Sequence, residues 1–196
     1  TITQGKQVLY LVPEIALTTQ LINRIRAVFG NSVGIYHSKF SENERVEIWN
    51  SIFHEGDNKL DAKHFNIVLG TRSALFLPFN NLGLIIIDEE HDNSFKQEDR
   101  CPYNARDLAI KKAAIENIPV VLGSATPSLE TYESFKTNKP KHFYYPLRKR
   151  ALVDSLPKVM LIDMRQKDLP PQEKQAIKLT WPFHPEAIKK IKTAFQ

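Results

Sequence analysis

The sequence predicts an α/β domain built on a mostly parallel sheet, and three observations carry that prediction. Short unbroken apolar runs recur at Gln7–Val12, Leu84–Ile87 and Pro119–Leu122, the length and composition of strands buried on both faces. Between them lie stretches whose apolar residues repeat at helical spacing. Several of the runs also end abruptly in polar or charged residues. In parallel sheets, ligands bind just beyond the carboxyl ends of the strands.

Taken in order, Gly5 turns the chain into the first strand, Gln7–Val12, and Pro13 stops it. Leu17, Leu21, Ile25 and Val28 then recur as one helical face, with Gly30 placed to cap its end. Val33–Tyr36 is a short strand. Ser41 and Glu44 form a capping box that opens a helix carrying Val46, Trp49 and Phe53 on one face. Gly56–Lys63 is polar and reads as a surface excursion. Phe65–Leu69 is the next strand, running into Gly70-Thr71-Arg72, and Leu82–Ile87 follows, ending in Asp88-Glu89-Glu90-His91. Asn93–Tyr103 is a polar and aromatic loop. Pro102 is expected near the first turn of a helix reaching Asn117. Pro119–Leu122 is a buried strand leading to Gly123-Ser124-Ala125-Thr126-Pro127 and a capped helix, Leu129–Phe135. Val159–Ile162 is read as the last strand, residues 165–178 with Pro170-Pro171 as a linker, and Pro185 as the start of a terminal helix with Ile188, Ile191 and Phe195.

Composition sets bounds. The chain has 196 residues, 42% hydrophobic and 25% charged, which suits a globular fold with one sizeable core. Its 27 basic and 22 acidic residues leave +5, a mild excess that permits nucleic-acid binding without requiring it. Cys101 is the single cysteine, so neither a disulfide framework nor a cysteine-based zinc site exists within these residues. No stretch approaches the roughly 18 apolar residues of a membrane span, and no signal peptide opens the sequence. A reducing cytoplasm is the expected compartment.

The chemistry concentrates at four strand ends: Pro13–Thr18, Gly70–Phe76, Asp88–Asp92 and Gly123–Ser128. A strand ending in Asp-Glu supplies what nucleotide hydrolysis needs, one carboxylate for Mg²⁺ and one to orient or deprotonate water. Parallel strands bring these ends to one edge. Together and in this order they resemble motifs Ia, Ib, II and III of a superfamily 2 helicase, in its first RecA-like lobe. The segments LVPEIALTTQL, Tyr36-His37-Ser38, Glu44-Arg45 with Trp49, GTRSALFLPF, DEEHDNSFKQED, Tyr103 with Ala105-Arg106-Asp107, GSATPSLE and Leu161–Arg165 resemble the PriA-type replication-restart helicases over nearly the whole chain.

That resemblance implies an ATP-driven 3′-to-5′ DNA motor that restarts stalled forks and assembles the primosome, with single-strand-binding proteins among its partners. Asp88 would hold Mg²⁺, and Glu89 would position or activate the attacking water. His91 would link the ATP site to the DNA side through Ser124 and Thr126. Thr71, Arg72 and the backbone of Gly70 would contact DNA phosphates, although an ion pair within the fold suits Arg72 nearly as well. Phe95, Lys96, Gln97 and Tyr103 combine aromatic faces with a cation, the chemistry of single-strand stacking; anchoring the loop to the core suits each aromatic equally. Lys136–Arg150 holds six basic residues and no acid around Phe143, Tyr144 and Tyr145. An edge strand with a solvated charged flank is the preferred reading there.

One expected part is missing. No G-x-x-x-x-G-K-[ST] phosphate loop occurs in the sequence. In the family this loop lies shortly before the segment matching Thr1, so the chain is expected to be a RecA-like sheet of the P-loop NTPase type, three-layered but incomplete, without the phosphate-loop strand and helix. Residues 1–164 are expected to form the partial first lobe, and 165–196 the linker and approach to a second. Zinc-binding cysteine clusters would belong to a further C-terminal part. The alternatives are another superfamily 2 translocase, against which HDNSFKQ and YNARD count, and a noncatalytic DNA-binding scaffold, against which the paired carboxylates count.

Overall fold

The computed structural model describes residues 1–37, 40–53, 65–137, 142–147, 172 and 185–194. It divides into two compact units, Thr1–Tyr144 and Tyr145–Gln196. In the second, the helix that Pro185 opens spans Pro185–Ala194. The expected excursion at Gly56–Lys63, the strand at Val159–Ile162, the linker at 165–178 and the boundary at 164 lie outside the described residues.

The first unit is organised on a five-stranded sheet. Its strands are β1 (Gln7–Leu11), β2 (Val33–Tyr36), β3 (Ile67–Gly70), β4 (Leu82–Asp88) and β7 (Val120–Gly123). Their order is β2-β3-β1-β4-β7, and every pairing is parallel. A parallel sheet needs crossovers, and these carry α1 (Thr19–Phe29), α2 (Glu42–Phe53) and α3 (Ala105–Glu116), with only a 3-10 turn, Arg72–Phe76, between β3 and β4; α4 (Leu129–Lys136) follows β7. Registers such as Leu11↔Gly70, Leu11↔Ile87 and Asp88↔Gly123 align the strand ends, so the loops beginning at Val12, Thr71, Glu89 and Ser124 emerge at one edge. A two-stranded antiparallel ribbon, β5 (Lys96–Gln97) with β6 (Tyr103–Asn104), sits within the polar and aromatic loop.

The two sheet faces are covered unequally. Leu9, Leu11, Val68, Ile85 and Ile87 join Ile48 and Ile52 of α2, Ala105, Ala109 and Ala113 of α3, and Phe95 in one buried core. The alanines recur every four residues, a stripe without bulk that lets α3 lie close against the sheet. On the opposite face Val8, Val33 and Ile67 form a smaller buried cluster, alternation along β3 adds the fully buried Leu69, and Ile25, Leu84 and Ile86 are partly covered.

Several expectations need correction. The strand β4 is enclosed on one face alone, because its alternate residues Leu84 and Ile86 fall on the thinly covered side. The face of α2 expected from Val46, Trp49 and Phe53 is solvent-exposed, and Ile48 and Ile52 make the core contact instead. Val28 is also exposed, since α1 reaches the sheet through Ile25. Pro102 precedes β6 rather than entering α3, whose N-cap is Asn104, with Oδ1 accepting from the Arg106 N–H at 3.0 Å. The strand β7 lies at the end of the sheet order with Val121 half exposed, so it is not a buried strand. No edge strand forms at Phe143–Tyr145; residues 142–147 are irregular, and the Tyr144 ring stacks on Phe135. Other local expectations hold: Ser41 and Glu44 exchange the capping-box bonds, and Gly30 ends α1 with φ 63°.

Candidate active site at the end of strand β4

Period-two alternation along β4 places Leu84, Ile86 and Asp88 on one face. On β1, Tyr10 is paired with Ile86, so its ring reaches diagonally to the next residue on that face. Its hydroxyl donates to Asp88 Oδ2 at 3.0 Å. Burial, then the adjoining Asp88 charge, pushes the Tyr10 pKa up to about 12. The other Asp88 oxygen accepts from the Glu89 N–H at 3.0 Å. Asp88 is therefore held at both oxygens.

After Asp88 the chain turns. Glu89 has φ 47°, a left-handed backbone that glutamate seldom adopts. The turn is closed by the Glu90 N–H donating to the Gly123 carbonyl and the Asp92 N–H donating to the Glu89 carbonyl. Side chains consequently diverge: those of Glu89 and His91 face outward, while Glu90 points inward and is 2% exposed. His91 Nδ1 is hydrogen-bonded to Ser124 Oγ at 2.7 Å and lies 3.6 Å from Glu89 Oε2. His91 Nε2 is 3.4 Å from Thr126 Oγ1. The resemblance-based set Asp88, Glu89, His91, Ser124 and Thr126 is thus brought together in one place.

Glu90 was not singled out in the sequence, yet it has the most partners. Oε1 accepts from the Ser128 N–H at 2.7 Å, and Oε2 accepts from Ser128 Oγ, Thr131 Oγ1 and Arg106 Nη1 at 3.1, 3.0 and 3.2 Å. Burial works to raise the Glu90 pKa, but these donors outweigh it and hold the carboxyl below its ordinary range. Arg106 also donates to Ser128 Oγ at 2.7 Å and to Asp107. Charged groups this deep are tolerated only when paired and hydrogen-bonded.

The residues expected at DNA are placed less uniformly. Gly70 is packed against Ala74 and the Tyr36 carbonyl, and Thr71 is 3% exposed. Arg72 Nη1 donates to the carbonyls of Ser94 and Lys96 at 2.9 and 2.8 Å, clamping the following loop to the end of β3. Phe95 is 1% exposed and anchors that loop in the core, so in this structure it presents no face for a base. Lys96 is exposed, and Gln97 and Tyr103 are partly so. Phe76 is a surface aromatic the sequence did not mark, 55% exposed and edge-on to Tyr103 at 5.2 Å between ring centres.

Among the described residues no cluster of three or more His, Cys, Asp or Glu could cage a metal ion. The site still suits Mg²⁺, which is ordinarily bound through one or two carboxylates completed by water and substrate phosphates. Asp88, at the carboxyl end of β4 and already oriented, is the residue that would hold it.

A parallel α/β sheet with an Asp-Glu pair at the end of an interior strand, joined through a histidine to the Ser-Ala-Thr loop of the next strand, is an incomplete RecA-like α/β fold. The chain belongs to the DEAD/DEAH box helicase family, whose model matches residues 1–135. It is 47% identical over 165 residues, 83% of its length, to the replication restart protein PriA of Synechocystis. Against PriA of Bacillus subtilis the identity is 43% over 84% of the chain, and against PriA of Chlamydia muridarum 43% over 95%. The chain spans 19% of the length of the first two relatives and 23% of the third. Among solved structures, the C-terminal part of the Fun30 ATPase domain aligns with a TM-score of 0.40 and 13% identity, covering 69% of this chain and 40% of that one. The helicase family in general uses a nucleoside triphosphate and Mg²⁺. No helix among the described residues is long and apolar enough to cross a membrane.

Proposed function

We propose that these residues are the part of a replication-restart DNA helicase that carries its hydrolytic carboxylates and its link to DNA. The carrying observation is the joined site: Asp88 and Glu89 at the end of β4, with His91 bonded to Ser124 of the neighbouring strand end. Asp88 would hold Mg²⁺, whose charge offsets that of the phosphates. The Glu89 carboxylate, outward and unburied, orients the attacking water and accepts its proton. His91 lies between Glu89 and the Ser124–Thr126 loop, so a shift of either is felt by the other. Phosphoryl transfer depends mostly on positioning and charge stabilisation, and this part of the fold supplies both.

DNA contact falls to the exposed members of the aromatic loop. Lys96 offers a cation to phosphate, Gln97 a hydrogen-bonding amide, and Tyr103 with Phe76 ring faces for unpaired bases. Arg72 acts from beneath, holding the loop in place, while Gly70 and Thr71 fix the turn that carries it. Fork restart, primosome assembly, binding to single-strand-binding proteins and a cytoplasmic location belong to the same proposal.

The sequence contains no phosphate-cradling loop, so the 196-residue chain alone is expected neither to hydrolyse ATP nor to unwind DNA. The test is ATPase activity of this chain extended on both sides to the length of its relatives, with and without forked DNA. DNA-stimulated hydrolysis that disappears in Glu89→Gln is the expected result. A folded extended chain that binds DNA without hydrolysing ATP would overturn the motor reading in favour of a scaffold.

A further inference from the structure

The feature left unused by this account is the buried carboxylate between the two hydrolytic residues and the histidine. Glu90 lies beside Glu89, whose φ of 47° is a left-handed backbone that a residue with a side chain seldom adopts. Such a conformation persists only when its surroundings over-determine it. On one side Asp88 is fixed by Tyr10 and by the sheet register with Gly123. On the other, Glu90 is fixed by its own N–H on the Gly123 carbonyl and by four donors on its carboxylate.

We propose that Glu90, held by Arg106, Ser128 and Thr131, is a positioning residue that keeps Glu89 in its left-handed turn and ties the hydrolytic carboxylates rigidly to the start of α4. This rests on the reading of Glu89 as the water-orienting group. Ser128 is both the N-cap of α4, accepting from the Thr131 N–H, and the residue whose own N–H meets Glu90. The loop from Ser124 to Ser128 is therefore gripped at both ends by the turn after β4: outwardly by His91 on Ser124, inwardly by Glu90 on Ser128. The outer grip is open to solvent and can exchange partners. The inner grip is dry, charge-assisted and branched, and a partly broken version would leave Arg106 with the exposed Asp107 as its one remaining carboxylate. A displacement of the loop then moves Glu89 with it, because the inner connection is the stiffer of the two.

The test uses two variants. Glu90→Gln keeps the shape and removes the charge; Ser128→Ala removes one hydroxyl and leaves the ion pair. In the 196-residue chain, the backbone carbon and amide resonances of Glu89 report its φ. Both variants are expected to move them away from left-handed values while those of β2 and α1 stay fixed. In the extended chain, both are expected to lower kcat for ATP hydrolysis by on the order of tenfold to a hundredfold with KM changed by less than about twofold, the signature of misplacement rather than lost binding. Unmoved Glu89 resonances in the folded variants overturn the proposal, as does an unchanged kcat where Glu89→Gln is inactive. If Glu90→Gln does not fold, Ser128→Ala decides by the same two readouts. Full hydrolysis by Glu89→Gln overturns the hydrolytic reading instead, and the resonances still decide whether Glu90 holds the turn.

Discussion

The Tyr10 hydroxyl meets the Asp88 carboxylate across neighbouring strands, 78 positions apart in sequence. Nothing in QVLYLV marks that tyrosine, which reads as one more apolar strand residue until the register is known. Glu90 and Arg106 were hidden for the same reason: their partners come from other elements, and spacing along one strand or helix cannot reveal them. By contrast Asp88, Glu89, His91, Ser124 and Thr126 could be expected to lie near one another, because they sit where strands run out into loops, while the roles of His91, Ser124 and Thr126 came from the family resemblance. A testable consequence follows for Tyr10. Its folded pKa is raised from 10.0 to about 12, so the stabilisation it brings is fully present below the unfolded value and is lost as pH rises through the folded one. Tyr10→Phe should cost about 1 kcal/mol at neutral pH, the net worth of one hydrogen bond, with the difference from the parent shrinking between about pH 10 and pH 12. Urea unfolding measures the first. Tyrosinate absorbance measures the second, with amplitude lost from the top of the titration; loss near pH 10 would show that the hydroxyl is not engaged with Asp88.

At the level of elements, the strand–helix alternation was readable because apolar runs and capping residues are local signals. Which face each helix presents was not. α2 carries two apolar sets, Val46/Trp49/Phe53 and Ile48/Ile52, and helical spacing is satisfied by either. The sheet chose the isoleucines. At the end of β3, Gly70 was read as a backbone contact for phosphate, but packing explains its lack of a side chain without any ligand. A Cβ there would lie 2.5 Å from the Ala74 Cβ and 2.6 Å from the Tyr36 carbonyl oxygen, neither of which is a flexible tip. Gly70→Ala should therefore push the Arg72–Phe76 turn away from β2 and destabilise the fold by about 1–3 kcal/mol, as overpacking does. That corresponds to a fall of several degrees in Tm for a domain of this size. The same variant should loosen the Arg72 clamp on Ser94 and Lys96, seen as faster amide exchange at Lys96 and Gln97. An unchanged Tm would mean that the two segments separate without cost.

In the first unit the two faces of the sheet are packed unequally among the described residues, and that asymmetry bears on how the chain behaves in solution. Among the described residues of the first unit, Val28, Val121 and Leu129 are 74%, 50% and 83% exposed, and Leu84 and Ile86 are only partly covered. Single exposed apolar residues are ordinary, but Val121, paired with Ile86 in the sheet, adds exposed apolar surface to the incompletely covered face, the kind of surface that recruits another. Each Å² removed from water is worth about 25 cal/mol, so covering even a few hundred Å² yields several kcal/mol before the cost of association is set against it. The net charge of +5 is too small to hold copies apart at physiological salt, where charges are screened beyond about 8 Å. The chain is therefore expected to self-associate as its concentration rises and to unfold with low cooperativity. Sedimentation velocity across a hundredfold range of concentration, at low and at physiological salt, measures the first; calorimetry measures the second. Association that persists at physiological salt would identify apolar contact as its cause, since salt weakens attraction between opposite charges and leaves burial largely unchanged. A monomer throughout, melting in one sharp step, would show that the thin face is adequately covered within a single chain.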